Sequence, residues 1–245
     1  MESVLALSIY EDGDENLKEG TNQLPSTTRA TAGAVAGLDA AKEVAPDGRV
    51  RTFPHVKGNY PGFVFVSIST APDVLALAAA QACAAAELVL GPKCTVHRLP
   101  LSELHLSLSR TFAVRRPDIE PLVQLLADNL RALPRFSGTL RGAELYTNED
   151  ATRTFVGLRL ASGEQRMHAL VRGVDRSLSA FRIPAYYSEL SFHVSVAWAA
   201  GGLQPGTSRE LRVASDGKEG EKVHFDVDTA KAKIGARSYR FDLQC

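Results

Sequence analysis

Two short motifs in the chain share the pattern His-apolar-Ser-apolar. They are His105-Leu106-Ser107-Leu108 and His193-Val194-Ser195-Val196. Each lies in a stretch where apolar and polar residues alternate, which predicts a β-strand. Because side chains alternate between the two faces of a strand, the His and Ser of each motif share one face and the aliphatic residues face the other. Each strand therefore presents a His–Ser pair to one surface.

Two histidines and two serines brought together suit chemistry at a phosphate. Imidazole titrates near neutral pH, so one ring can act as a base while the other acts as an acid. Serine hydroxyls can donate hydrogen bonds to the nonbridging phosphate oxygens. This set favours transesterification of RNA, in which a ribose 2′-OH attacks the adjacent phosphorus and the 5′-oxygen leaves without the help of a metal. We expect His105 and His193 to be catalytic, and the sequence leaves open which is base and which is acid.

Other uses of these residues are less well supported. A strand histidine on its own is more often structural, and the repeated pattern is what favours catalysis here. A zinc site is disfavoured because the three cysteines, at 83, 94 and 245, have no CxxC spacing. A Ser-His-Asp hydrolase is disfavoured because no GxSxG motif is present. The remaining histidines are interpreted as structural or surface residues: His55, His97, His168 and His224.

The elements that carry the motifs predict an α+β fold. Helices are expected from Pro72 to about residue 89, from Pro117 to Pro134, and after a capping-box pattern of Ser162 and Gln165. Strands are expected at residues 62–68, 104–109, 138–146, 154–160, 192–198, 223–227 and 238–243. Because helices and strands are interspersed without regular βαβ repeats, we predict an antiparallel sheet covered by helices.

Charge divides the chain into two parts. The 28 basic and 28 acidic residues give a net charge of zero, which by itself disfavours a strongly basic nucleic-acid binder. Residues 1–50, however, carry a net charge of −5, and the remainder carries +5. Residues 1–48 lack hydrophobic periodicity and are predicted to be a disordered acidic tail, while residues 49–245 form the domain. The mildly basic domain fits an enzyme that holds a short RNA end.

Targeting signals are weak. Glu2 stands where a signal peptide has basic residues, and there is no run of 18 or more apolar residues. The odd number of cysteines fits a reducing compartment inside the cell. We therefore expect an intracellular protein that does not span a membrane.

With both motifs in place, the chain resembles the two-histidine (2H) phosphodiesterases, and most closely their U6 snRNA phosphodiesterase (Usb1/Mpn1) family. Residues 51–60, R-T-F-P-H-V-K-G-N-Y, resemble that family's R-x-F-P-H-x-x-G-N-[WY] segment. Further blocks are similar at residues 104–110, 147–148 with 152–158, 191–198 and 233–235. The resemblance covers residues 49–245 in the family's order.

The resemblance implies an α+β 2H fold of two similar lobes, each supplying one motif around a central cleft. It implies a nuclear 3′–5′ exoribonuclease that trims the uridine-rich 3′ end of U6 snRNA and leaves a 2′,3′-cyclic phosphate or a 3′-phosphate. Under it, Ser107 and Ser195 hold the phosphate and Tyr187 stacks on the terminal base. The same pocket would be lined by Glu189, Ser191 and Phe192.

No cofactor or metal is expected, and the partner is a single-stranded RNA 3′ end bound by a monomer. Two alternatives stay open. One is a 2′,3′-cyclic phosphodiesterase or RNA end-processing enzyme of another 2H branch. The other is a non-catalytic RNA-binding module that keeps the cleft.

Overall fold

The structure is a computed structural model that describes residues 56–148, 151–188, 190–201, 208–211 and 222–245. The predicted tail, residues 1–48, lies outside the described residues, as does Glu189. The described residues form three α-helices: α1 (Pro72–Leu90), α2 (Arg116–Leu130) and α3 (Glu164–Ser179). The strands are β1 (Asn59–Ser67), β2 (Val96–Arg98), β3 (His105–Ser107), β4 (Phe112–Arg115), β5 (Phe136–Thr147), β6 (Arg153–Ser162), β7 (His193–Ala200), β8 (Ser208–Leu211), β9 (Val223–Val227), β10 (Thr229–Ile234) and β11 (Arg237–Asp242).

The strands of the described residues form one antiparallel sheet in the order β11-β10-β1-β3-β7-β6-β5-β8, with β4 on β1, β2 on β7 and β9 on β5. We call the half from β11 to β3 the first lobe and the half from β7 to β8 the second lobe. The lobes join where β3 lies beside β7, and each contributes one His-x-Ser strand to that junction. This arrangement confirms the predicted α+β fold with an antiparallel sheet.

One face of the sheet is buried under the helices. Alternate residues of the central strands, such as Val64, Leu106 and Val194, are fully buried in the core. Helix α1 contacts strands of the second lobe, and α2 contacts α3 and the outer strands of the first lobe. The opposite face, which we call the cleft face, carries the His and Ser side chains.

Helix α1 is long and apolar enough to cross a membrane, judged by length and composition alone. Its buried face includes Leu75, Ala82, Cys83 and Ala86 and packs onto the sheet. The core helix of a globular protein can have the same composition, and the helix spans the residues predicted from the sequence.

The capping box predicted for α3 is wrong. The N-cap of α3 is Gly163, with φ 95°, and no side chain caps the helix. Ser162 is still part of β6, and its hydroxyl pairs with that of Thr139 on β5 at 2.8 Å. A serine whose hydroxyl is used across the strands is not available to the helix that follows.

Candidate active site

The two His-x-Ser strands lie side by side at the junction of the lobes. Antiparallel β3 and β7 pair Leu106 with Val194. Continuing this register by one residue on each side places His105 opposite Ser195 and Ser107 opposite His193. Residues directly opposite each other in such a pair have Cβ atoms roughly 4.5–5.5 Å apart. The four predicted side chains therefore form one cluster in which each histidine faces the serine of the other motif.

Both histidine rings are oriented in the same way. Nδ1 of His105 lies 2.7 Å from the carbonyl oxygen of Glu103, and Nδ1 of His193 lies 2.9 Å from that of Ser191. A carbonyl oxygen only accepts, so Nδ1 must donate in each case. The neutral ring then carries its lone pair on Nε2. Each ring thus has a nitrogen available for proton transfer, held by the backbone two residues before it.

Burial lowers the pKa of both imidazoles. For His105 the loss of hydration is the main cause, partly opposed by the hydrogen bond to the Glu103 carbonyl, which raises the pKa. For His193 burial again lowers the pKa most, while the Ser191 carbonyl and Glu144 raise it and the nearby His105 lowers it. The mutual influence of the two rings agrees with their adjacency, since a positive charge on one disfavours a second on the other.

The surroundings of His105 are aromatic. Phe63 and Phe65 of β1 lie on the cleft face, with ring centroids 5.5 and 5.0 Å from that of His105. They also stack on each other with centroids 5.0 Å apart. Sequence reasoning missed these two residues. The alternation around Val64 does place them on one face, but only the pairing of β1 with β3 shows that this face carries His105.

The surroundings of His193 are aromatic and charged. The ring of Tyr146, on β5, is stacked on the imidazole with centroids 3.8 Å apart and an interplanar angle of 10°. Glu144, on the same strand, accepts a hydrogen bond from Arg159 at 2.9 Å. These residues were also missed, because no local pattern indicates that β5 and β6 follow β7 in the sheet.

Tyr187, predicted to stack on a base, contacts the segment that follows the first His-x-Ser motif. Its side chain is 41% exposed, the guanidinium of Arg110 lies 4.0 Å from its ring centroid, and Tyr186 packs against its edge at 5.1 Å. Arg110 follows β3, where the Ser109 hydroxyl accepts from the Val64 amide and donates to the Arg110 carbonyl. The Arg110–Tyr187 contact therefore joins the segments around the two motifs.

The other predicted pocket residues lie in different surroundings. Ser191 is exposed and its carbonyl orients His193. The Phe192 side chain is 5% exposed, belongs to the core and packs edge-on against His168 of α3. It faces away from His193, as strand alternation requires. Glu189 lies outside the described residues.

Comparison with known proteins identifies the family. A family model described as HVSL, an uncharacterised conserved protein, matches residues 27–242. The mouse (Mus musculus) U6 snRNA phosphodiesterase 1 is 33% identical over 92% of this chain and 87% of its own length. The bovine (Bos taurus) protein of the same name is 34% identical over 95% and 86%. The chain belongs to the U6 snRNA phosphodiesterase 1 family.

Solved structures agree with this fold. Kluyveromyces marxianus Usb1 matches with a TM-score of 0.52 at 17% identity, over 75% of this chain and 98% of that one. A second structure of that Usb1, with uridine monophosphate, matches with a TM-score of 0.52 at 18% identity and the same coverage. The two-lobed fold implied by the resemblance is thereby confirmed. As a member of the U6 snRNA phosphodiesterase 1 family, the chain is a phosphodiesterase.

Proposed function

We propose that this protein is a metal-independent 3′–5′ exoribonuclease that trims the uridine-rich 3′ end of U6 snRNA. The observation that carries the proposal is the pairing of the two His-x-Ser strands, with each Nδ1 donating to the backbone. The names of its relatives supply the substrate, and the uridine monophosphate bound to K. marxianus Usb1 agrees with a uridine-ended RNA.

The reaction needs one neutral and one protonated histidine. The neutral ring takes the proton from the 2′-OH of the penultimate nucleotide through Nε2, and the 2′-oxygen bonds to the adjacent phosphorus. The protonated ring gives its Nε2 proton to the departing 5′-oxygen of the terminal nucleotide. The P–O5′ bond breaks as the P–O2′ bond forms, which leaves a 2′,3′-cyclic phosphate on the shortened RNA.

Ser107 and Ser195 are suited to hold the phosphate. Each serine lies opposite the histidine of the other motif, so their hydroxyls can donate to the nonbridging oxygens between the two rings. The phosphorus is then held where both proton transfers can occur. Tyr187 supplies an exposed aromatic ring beside the cluster, on which the terminal base can stack.

The test uses an RNA with a 3′ oligouridine tail in the presence of EDTA. We expect stepwise shortening by the wild-type protein, and none by His105→Ala or His193→Ala. The matched control is His224→Ala, an exposed histidine on β9 outside the cluster, which should cleave like wild type. A 2′-deoxy sugar just 5′ of the scissile bond should block cleavage. Cleavage through that sugar, or only when a metal is added, would overturn the mechanism.

A second function is opening of 2′,3′-cyclic phosphates, as in other 2H branches. The same geometry favours it, because the histidine that gave its proton to the 5′-oxygen can take one from a water molecule that attacks the phosphorus from the same side. The other histidine, protonated in the first step, then gives its proton to the 2′-oxygen as the P–O2′ bond breaks. Mass spectrometry of the RNA end separates the two reactions. A cyclic phosphate indicates transesterification alone, whereas a 3′-phosphate indicates that the ring was then opened. Binding of the RNA with neither product would favour a non-catalytic RNA-binding module.

The substrate implies a nuclear location, and we propose that the protein acts there as a monomer. A fluorescent fusion of the full chain should accumulate in nuclei. Light scattering of the purified protein should give a mass near the 26.4 kDa of one chain. Exclusion from nuclei, or a stable dimer, would contradict these two points without affecting the chemistry.

A further inference from the structure

The two histidines are held differently, although their backbone hydrogen bonds match. His105 contacts Phe63 and Phe65 with tilted rings, at interplanar angles of 42° and 59°. His193 instead has a whole ring laid flat on it, that of Tyr146, at 3.8 Å and 10°. A hydrogen bond at Nδ1 fixes one point of an imidazole, and a flat stack restricts the tilt of its plane. His193 has both restraints.

The stack spans a strand. Tyr146 is on β5 and His193 is on β7, with β6 between them. The residue of β6 at that point is Gly157, which pairs with Glu144 on one side and Ser195 on the other. A side chain of ordinary size there would separate the two rings, so the contact between them requires glycine at this position.

The space at Gly157 confirms this. A Cβ atom added there would lie 2.7 Å from Cε2 of Tyr146 and 2.8 Å from Cδ2 of His193. The φ angle of Gly157 is not in the left-handed region, so backbone conformation does not demand a glycine. Glycine inside a strand weakens it, and it commonly marks a close approach of other groups. Here the groups that approach are the two rings.

Tyr146 is itself well placed for this role. Its side chain is 9% exposed, so its position is set by packing. Its hydroxyl is buried near Glu144 and Ser191, without a hydrogen bond of good geometry. Burial, with Glu144 next, raises the pKa of the phenol, so the ring is neutral at physiological pH. We propose that Tyr146 is a positioning residue that holds the His193 ring in its reactive orientation through a gap kept open by Gly157.

The proposal concerns how the reaction under "Proposed function" is carried out, and it rests on that function. Tyr146→Ala should lower kcat by about 10- to 100-fold through loss of ring orientation, with KM changed less than about threefold because the proposed role of Tyr146 is to orient His193 and not to bind the RNA. Tyr146→Phe keeps the ring and should stay within about threefold of wild type in both constants. Gly157→Ala should act like Tyr146→Ala, because the added methyl group displaces one ring or both.

Gly138→Ala is the matched control. It lies on β5, and a Cβ there would also collide, at 2.5 Å from Phe225 Cζ and 2.8 Å from the Ser162 carbonyl oxygen. It should therefore lower thermal stability as Gly157→Ala does, while leaving kcat near wild type. This pair separates loss of packing in general from loss of the stack.

A titration followed by NMR tests the proposal without turnover. In Tyr146→Ala, water reaches the His193 ring, so its pKa should rise toward the ordinary value, because burial is the main cause that lowers it. The titration of His105 should not rise with it, because charge on His193 disfavours charge on His105. Tyr146→Leu fills much of the same space without a flat ring and replaces the Ala variant if that one does not fold.

Three outcomes would overturn the proposal. One is a folded Tyr146→Ala or Tyr146→Leu protein with wild-type kcat and an unmoved His193 titration. Another is a Tyr146→Phe protein as impaired as Tyr146→Ala, which would assign the effect to the hydroxyl. The third is a Gly138→Ala protein with the same kcat loss as Gly157→Ala. If wild type cleaves no RNA, the proposed function fails, while the titration still decides whether Tyr146 shields His193.

Discussion

The proposed chemistry depends on four side chains, a histidine and a serine from each of two neighbouring strands. Continuing the register of the Leu106–Val194 pair places His105 opposite Ser195 and His193 opposite Ser107. A phosphate held between the rings would therefore meet one hydroxyl from each motif. Neither motif could carry out the reaction alone, because each supplies only one proton-transfer group.

The serines should affect rate more than folding. We expect Ser107→Ala and Ser195→Ala each to lower kcat/KM by about 10- to 1000-fold, the range for loss of one hydrogen-bond donor to a reacting oxyanion. Both serines are half-buried on the cleft face, so the melting temperature should change little. Steady-state kinetics on the oligouridine RNA, with melting curves, check this. A loss of less than threefold in both variants would contradict phosphate binding by the hydroxyls.

The pH profile should reflect the lowered pKa of both histidines. In the free enzyme each ring is protonated mainly below the ordinary imidazole pKa of 6.5, because burial disfavours the charged form. The reaction needs one protonated ring, so kcat/KM should peak on the acidic side of 6.5 and fall as pH rises. A bound phosphate raises the pKa of both rings, so the kcat profile should lie at higher pH than the kcat/KM profile.

Measuring both profiles on the same RNA checks this expectation. Since kcat/KM reports the free enzyme and kcat reports the complex, the displacement between them isolates the effect of the phosphate. A kcat/KM optimum above 6.5, or a kcat profile at lower pH than kcat/KM, would contradict it.

Among the helices and strands, those with strong local sequence patterns were predicted best. Helices α1 and α2 begin at or beside the predicted prolines, Pro72 and Pro117, because proline suits the first turn of a helix. The His-x-Ser strands were predicted from strict alternation. Strand β10, with sequence T-A-K-A-K-I, was missed because alanine and lysine have low strand propensity. Its pairing with β1 and β11 overrides that preference.

The missed strand β10 contributes charge to the cleft. Lys231 pairs with Phe65 and Lys233 pairs with Phe63, so both lysines lie on the face that carries His105. The neighbouring residues of β10 on the other face, Ala232 and Ile234, are buried. An RNA strand that passes from the catalytic pair over the two phenylalanines would therefore meet these lysines.

Reversing one of these charges should weaken binding of the RNA. Lys233→Glu should lower kcat/KM and reduce the slope of log(kcat/KM) against log salt by at least about 0.7, because one contact to a single-strand phosphate is lost and a negative charge is added. Lys93→Glu makes the same change at an exposed residue after α1 and should leave kcat/KM and its salt dependence unchanged. Equal effects of the two substitutions would assign the loss to overall charge.

For the whole molecule, the neutral net charge conceals an uneven distribution. The acidic excess lies in residues 1–50, whereas both His-x-Ser motifs and β10 lie in the basic remainder. The family match begins at residue 27, within the segment predicted to be a tail. That the tail is disordered stays a prediction, since residues 1–48 lie outside the described residues.

The order of strands was the part that no local pattern could predict. His105 and His193 are 88 positions apart in the sequence, and their meeting depends on β3 and β7 being neighbours at the junction of the lobes. Alternation gives the face of each strand but not its neighbours. For the same reason Phe63, Tyr146 and Gly157 could not be assigned to the site in advance.

The junction of the lobes should link stability to catalysis. Leu106 is fully buried, lies between His105 and Ser107 on the opposite face of β3, and pairs with Val194. Leu122 of α2 is equally buried but lies in a helix away from the junction. Replacing either by alanine should lower the free energy of unfolding by about 2–5 kcal/mol, the usual cost of such a cavity.

Only the substitution at the junction should also affect the reaction. A cavity beneath the catalytic pair allows β3 and β7 to shift, so Leu106→Ala should lower kcat by about tenfold at a temperature where it is fully folded, since small misplacements of reacting groups are costly. Leu122→Ala should keep kcat near wild type. Denaturant unfolding and kinetics on both variants check this. If both variants lose kcat equally at matched stability, a packing defect anywhere in the core would disturb the site. The β3–β7 junction would then have no special part in aligning the histidines.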